Sequence, residues 1–272
     1  MTPLVPGRER DFVLEYARQA PLALALERAL ECRLLAAYAL ERPVLDIGCG
    51  DGLFAETLYG SGAGIDYGLD IDLAECARAR RRDVYTRVIN ADAGAIPLAD
   101  ATVRTVLANS TLEHLPRLHE VLRETARVLA SGGELYVTLP TDRFAQYANL
   151  YRLLQTLRLH RAAEWFRRFY DRFWRHYHYH APDQWARLLE AAGFHIEEVI
   201  EYDSPSRCAL HDVLVPFAFP AFLTKKLIGR YALVPSLRGV VMRGLRGALP
   251  SDREPSVSPG TGGLVFLRAV KL

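Results

Sequence analysis

The sequence predicts an α/β chain built on a doubly wound, mostly parallel seven-stranded sheet with helical insertions. Three observations carry this. Between Val44 and Leu139, five short apolar runs alternate with stretches of helical spacing, the pattern of a parallel sheet with crossover helices. The first run, VLDI, breaks into the glycine turn Gly48-Cys49-Gly50-Asp51-Gly52 before LFAETLY, so strand, turn and helix follow directly. About twenty residues on, Gly68-Leu69-Asp70 ends the second run with a carboxylate, where an acid can accept hydrogen bonds from both hydroxyls of a ribose.

The elements follow in order. Asp11–Gln19 and Pro21–Leu40 read as helices, the second with Leu22, Leu26, Ala29, Leu30, Leu34 and Ala37 at helical spacing. Leu73–Arg82 is a helix and Val84–Asn90 a strand running into Ala91-Asp92-Ala93. Thr102–Ala108 is a strand, with Asn109, Ser110 and Thr111 at its carboxyl end, the side where open parallel sheets bind ligands. His114, beside Leu112 and Leu115 at a helix start, reads as structural. Pro116–Ala130 is expected to be a helix closed by Gly132-Gly133, followed by the strand Glu134–Leu139. Arg161–Tyr177 is expected to put Phe166, Phe169, Tyr170, Phe173 and Tyr177 on a core face and Arg161, Arg168, Arg172 and Arg175 in solvent. A platform for nucleic acid would need aromatics and arginines on one face, so no nucleic-acid partner is expected. Pro182–Ala192 is a helix, and Phe194–Tyr202 and Gly263–Val270 supply the last two strands.

The glycine turn and its acids limit the ligand. Asp46 and Asp51 bracket the turn, and no Lys or Arg lies between Pro43 and Asp72. Leu53 stands where a dinucleotide-type G-x-G-x-x-G turn would have its third glycine. Two carboxylates repel a pyrophosphate by about 4 kcal/mol at close range and an effective dielectric of 20, and they favour a cationic ligand. The stretch resembles the first motif of the class I S-adenosylmethionine-dependent methyltransferases, in which an acid opens a G-x-G-x-G turn. That resemblance covers most of Val44–Tyr202 and resumes at the last strand, which it implies runs antiparallel. It implies the Rossmann-like methyltransferase fold and S-adenosylmethionine as cofactor, held by Asp46, Gly48, Cys49, Gly50, Asp70, Ile71, Asp92, Ala93 and Asn109. In this family the acid after the third strand meets the adenine amino group and the next backbone N–H a ring nitrogen, the places of Asp92 and Ala93. A lid role for the N-terminal helices is a further implication of the family.

The expected divisions are N-terminal helices at 1–42, the cofactor-binding core at 43–140, a helical insertion at 141–181, and the rest of the sheet at 182–272 with a basic, apolar insertion at 205–260. The alternation His176, His178, His180 would place three imidazoles on one side of an extended segment, but no acid or cysteine set stands nearby in sequence, so no metal is expected. These histidines are the candidate bases. From Val213 to Pro250 there are six cations (Lys225, Lys226, Arg230, Arg238, Arg243, Arg246) and no acid, among Phe217, Phe219 and Phe222. Two readings stand for this stretch, a peripheral membrane contact and a lid. The apolar run Val213–Thr224 reads as too short to span a bilayer and broken by Pro216 and Pro220. Ser251–Gly263 reads as a mobile loop.

Composition narrows the rest. The 272 residues are half apolar with a net charge of +2, enough for one substantial core. Only Lys225, Lys226 and Lys271 are lysines, an arginine bias that reflects composition rather than nucleic-acid binding. Four scattered cysteines without C-x-x-C spacing indicate neither zinc site nor disulfide framework, and with no leader pattern at the N-terminus the expected setting is cytoplasmic, with peripheral contact at the membrane as the variant. The expected function is methyl transfer to a small-molecule or lipid- or glycan-linked acceptor. The alternative is a non-catalytic cofactor-binding or scaffold protein of the same fold.

Overall fold

The computed structural model describes residues 2–7, 10–253 and 255–272. In chain order the elements are α1 (Phe12–Ala17), α2 (Leu22–Leu35), β1 (Val44–Ile47), α3 (Leu53–Tyr59), β2 (Ile65–Asp70), α4 (Leu73–Arg81), β3 (Tyr85–Asn90), β4 (Val103–Asn109), α5 (Leu118–Val128), β5 (Leu129–Pro140), α6 (Asn149–Thr156), α7 (His160–Trp174), α8 (Pro182–Ala191), β6 (Phe194–Tyr202), α9 (Pro205–Ile228), α10 (Pro235–Leu245) and β7 (Leu264–Lys271). The strands form one seven-stranded sheet in the order β3-β2-β1-β4-β5-β7-β6. Pairs from β3 to β5 are parallel, and β7 runs antiparallel between β5 and β6. The doubly wound expectation is met.

Both faces of the central strands are covered, so β1 is buried at every position and β4 and β7 nearly so. On one face α2 packs Leu30, Leu34 and Leu35 into a core with Val44, Leu107, Tyr136 and Phe266. On the other, Val121, Leu122 and Val128 of α5 and Trp185 and Leu189 of α8 meet Val106, Val137 and Leu267. Chain order reverses between β1 and β4, which opens a crevice at their carboxyl ends.

Four expectations change. The helix α5 stops at Val128, before the glycine pair, because Leu129 is already extended and paired with Val103; β5 continues past Gly132 and Gly133 through a register shift and resumes its pairing at Glu134. The face of α7 turned to the core is Ala163, Phe166, Tyr170 and Trp174, whereas Phe169 and Phe173, expected inside, are exposed and stack in a row with Trp165. Tyr177 lies beyond the helix, which Arg175 ends in a left-handed conformation. The prolines do not break α9, a continuous 24-residue helix that contains Pro216 and Pro220, long and apolar enough by length and composition to cross a membrane. It is docked on the domain, with Cys208 and His211 buried at one end and Lys225 ion-paired at the other. The segment after Pro250 is fastened rather than free, since buried Asp252 pairs with Arg33 at 2.9 Å.

Candidate active site

The glycine turn after β1 is closed by backbone. Gly48 and Cys49 donate to the Leu69 carbonyl at 2.8 and 3.0 Å, which ties the turn to the end of β2. Gly48 has φ +72°, and a Cβ there would lie 2.4 Å from the Thr111 side chain, so both conformation and space require glycine. Gly50, at φ +53°, faces open space where a ligand can approach the chain. Its N–H donates to Asp70 Oδ2 at 2.9 Å, and the Asp72 N–H donates to Asp70 Oδ1 at 2.8 Å. The Asp70 carboxylate is thus fixed by one backbone donor per oxygen, each oxygen keeping a lone pair for a ligand hydroxyl. Asp72 accepts from Ala74 and Glu75 and caps α4.

Beside this turn lies a cavity of ≈ 240 Å³. Of the nine residues expected to hold a cofactor, Gly48, Asp70, Ile71, Asp92 and Ala93 line it. Asp92 accepts from the Gly94 N–H at 2.8 Å and pairs with Arg117. The other four lie behind or beside it. Asp46 is buried under the turn, where it accepts from the Tyr85 hydroxyl at 2.5 Å, and burial pushes its carboxyl up to about 7. Cys49 turns its sulfur onto Gly68, and burial raises its thiol. Gly50 serves through its N–H. Asn109 is turned to α2: its Nδ2 donates to Glu31 at 2.7 Å and its Oδ1 accepts from Thr138. The expected border position belongs to the next residue, Ser110, which holds φ +43° and lines the cavity.

Asp51, the second acid of the turn, is not a free charge. Lys225 of α9 meets it at 2.5 Å and Arg82 at 3.5 Å. Burial works against ionisation there, but the two cations outweigh it and hold the carboxyl below its ordinary range. The charge argument from Asp46 and Asp51 therefore does not hold as the sequence suggested it.

A second cavity of ≈ 240 Å³ adjoins the first, and Ser110 and His114 line both. Its remaining wall includes Glu27, Arg28, Trp174 and His211. Glu31, fully buried, gathers Arg28, Asn109, Ser110 and Tyr202 around one carboxylate. On this wall stand Glu113, His114 and His176. Burial raises the Glu113 carboxyl to about 8, lowers His114 and lowers His176 to about 3. Of the three histidines expected to act together, His176 alone reaches the cavity; His178 bonds the Leu115 carbonyl at 2.9 Å and His180 stands edge-on to Trp185. Ser110 stands at the strand end marked in the sequence, Glu27, Arg28, Glu31 and His211 carry no such mark there, and Glu113 and His114 read as part of a helix start. Beyond Ser110, only the TLEH run at the strand end gave a local signal.

Comparison with known proteins converges on one family. Residues 45–137 match the family model of a methyltransferase domain. A probable S-adenosylmethionine-dependent methyltransferase of Mycobacterium tuberculosis is 36% identical over 106 residues, 39% of this chain and 38% of that protein. The 27-O-demethylrifamycin SV methyltransferase of Amycolatopsis mediterranei is 38% identical over 98 residues, 34% of this chain and 36% of that protein. The match thus spans less than two fifths of these curated relatives. A solved structure of an S-adenosylmethionine-dependent methyltransferase from Thermotoga maritima shares the fold, with a TM-score of 0.55, 18% identity and 92% of each chain covered.

Proposed function

We propose that this chain, whose residues 45–137 match a methyltransferase domain, is a class I S-adenosylmethionine-dependent methyltransferase that transfers the methyl group of that cofactor to a small-molecule or lipid-linked acceptor seated in the cavity beyond Ser110 and His114. The observation that carries this is the shared wall: a cofactor lying along Gly48, Asp70 and Asp92 ends where the second cavity begins. A nucleophilic atom of the acceptor attacks the S-methyl carbon, the C–S bond breaks in line, and its electron pair remains on sulfur as S-adenosylhomocysteine leaves. Alignment of the two reactants contributes on the order of 7 to 11 kcal/mol at best, so positioning by the cavity walls is the main task of the protein.

The lid carries the reading on acceptor class. Phe222 of α9 lines the acceptor cavity and Lys225 closes on Asp51, so α9 covers the site. The same helix exposes Val213, Phe217, Phe219, Leu223 and Leu227, and α10 exposes Leu237, Val240 and Val241. Apolar surface of this extent on a lid supports peripheral contact with a membrane and an acceptor that partitions there. The rifamycin methyltransferase to which the chain is similar acts on a small molecule by its name, which supports the soluble alternative within the same reading.

Titration calorimetry tests the cofactor: S-adenosylmethionine binds and NADH does not. Turnover is then read as S-adenosylhomocysteine released with a panel of phenols, polyols, amines and prenyl or acyl carriers. Tight NADH binding with none for S-adenosylmethionine would overturn the proposal, and cofactor binding with no turnover on any class would favour a scaffold.

A further inference from the structure

We propose that Glu113, His114 and His176 bind a divalent transition-metal cation of the Zn²⁺ type on the wall of the acceptor cavity. Glu113 and His114 sit on the short turn after β4, and His176 follows α7, so the two histidines are 62 positions apart in sequence. The fold brings one ligand atom from each residue to within 4.8 Å of the others. Backbone bonds hold the two segments together: the Glu113 carbonyl accepts from Tyr177 N at 2.8 Å and from His178 N at 3.3 Å.

The second partners of the imidazoles fix which nitrogens are available. His114 Nδ1 lies 3.2 Å from the Arg175 carbonyl, which can only accept, so Nδ1 carries the proton and Nε2 presents its lone pair. That Nε2 is 3.7 Å from Glu113 Oε1. His176 Nδ1 is bonded to the Tyr179 hydroxyl, which can accept its proton, and in that tautomer Nε2 is the nitrogen free for a metal. Four-coordinate zinc at about 2.0 to 2.1 Å per donor needs donors about 3.3 Å apart, so ligand atoms within 4.8 Å of one another would close by up to about 1.5 Å.

An independent observation points to a ligand. Glu113 is 2% exposed, and among the described residues its Oε2 has no hydrogen-bond partner. A buried carboxylate oxygen without a partner is costly. Glu27 and Glu31 add acid to the same region, while Arg28 is already engaged by both of them and by Ser110. Two imidazoles and one carboxylate suit zinc or a neighbouring transition ion rather than magnesium or calcium, and they leave an open position toward the cavity. There the ion would polarise an acceptor oxygen, a role that rests on the proposed methyl transfer, whereas binding does not.

The test uses the untagged full chain, stripped with chelator and dialysed. Zn²⁺ titration calorimetry and elemental analysis are expected to give one ion per chain, and Co²⁺ the visible absorption of a four- or five-coordinate N/O site. Glu113→Gln and His176→Ala should each weaken Zn²⁺ binding at least tenfold, while His178→Ala, whose imidazole bonds a backbone carbonyl, should leave it within twofold. S-adenosylmethionine affinity, measured on the same samples, reports that the variants remain folded. Wild-type protein that binds the cofactor but retains no Zn²⁺ at micromolar concentration would overturn the metal site and leave the methyltransferase reading intact, as would unchanged Zn²⁺ affinity in both ligand variants. Zn²⁺ binding without cofactor binding would do the reverse.

Discussion

Asp70 joins the glycine turn to the end of β2, because its two oxygens take the Gly50 and Asp72 N–H groups. Their free lone pairs face the cavity, and hydrogen bonds to a charged acceptor contribute roughly 1.5 to 3 kcal/mol each. Asp70→Ala should therefore weaken S-adenosylmethionine binding by at least about tenfold in calorimetry. An affinity within twofold of wild type would remove Asp70 from cofactor binding. The neighbouring acids differ in role despite similar spacing. Asp46 is a buried hydrogen-bond acceptor for Tyr85, Asp72 is a helix cap, and Asp51 is neutralised by a lysine 174 positions away. Residue type and spacing marked all four; only contacts separate them.

At the scale of the element, α9 carries features that bear on both roles the sequence left as alternatives. Its first turns bury Cys208 and His211 in the domain, its middle exposes apolar side chains, and Lys225 in its last turn closes on Asp51 and Glu75. Three of the six cations of the stretch are committed internally: Lys225, Arg238 on the Ala17 and Ala20 carbonyls, and Arg246 on Asp11. Lys225 and Asp51 are both largely shielded from water, so Lys225→Ala removes a charged hydrogen bond of about 1.5 to 3 kcal/mol from the closed position. The expected result is faster proteolysis in the 229–235 linker and faster cofactor release in stopped flow, with global melting changed less than either. Unchanged rates of both would mean that the end of α9 does not act as a latch. The aromatic row of α7 belongs to this scale as well. Its apolar periodicity was legible, but a helix apolar on two faces can bury only one, here against α6 and the turn at Phe144–Tyr147, so Phe169 and Phe173 remain outside.

For the whole molecule, apolar side chains of α7, α9 and α10 are exposed, and among the described residues no salt bridge engages Lys226, Arg230 or Arg243. Each cation near an anionic surface contributes about 1 kcal/mol, so these three with partial insertion of Phe217 and Phe219 should give reversible binding. Co-sedimentation should recover the protein with anionic vesicles at 0.1 M salt, less at 1 M, where the Debye length falls to about 3 Å, and little with neutral vesicles. Equal recovery in the supernatant under all conditions would leave α9 as a lid alone and favour a soluble acceptor.

The sequence by itself determined the alternation of strands and helices, the glycine turn, and the acids at the ends of β1, β2 and β3. These rest on periodicity and backbone conformation, which act within a few residues of one another. It also placed β6 and β7, although β7 between β5 and β6 is a property of the sheet. Tertiary structure alone decided which side chains share a wall. Ser110 rather than Asn109 borders the cofactor cavity because Glu31 draws the asparagine toward α2, and His176 rather than all three histidines reaches the acceptor cavity because Glu113 anchors the loop that carries it. Polar groups that meet across 62, 78 or 174 positions leave no trace in local spacing, since their energy depends on distance and burial in the folded chain, and neither exists until the sheet has formed.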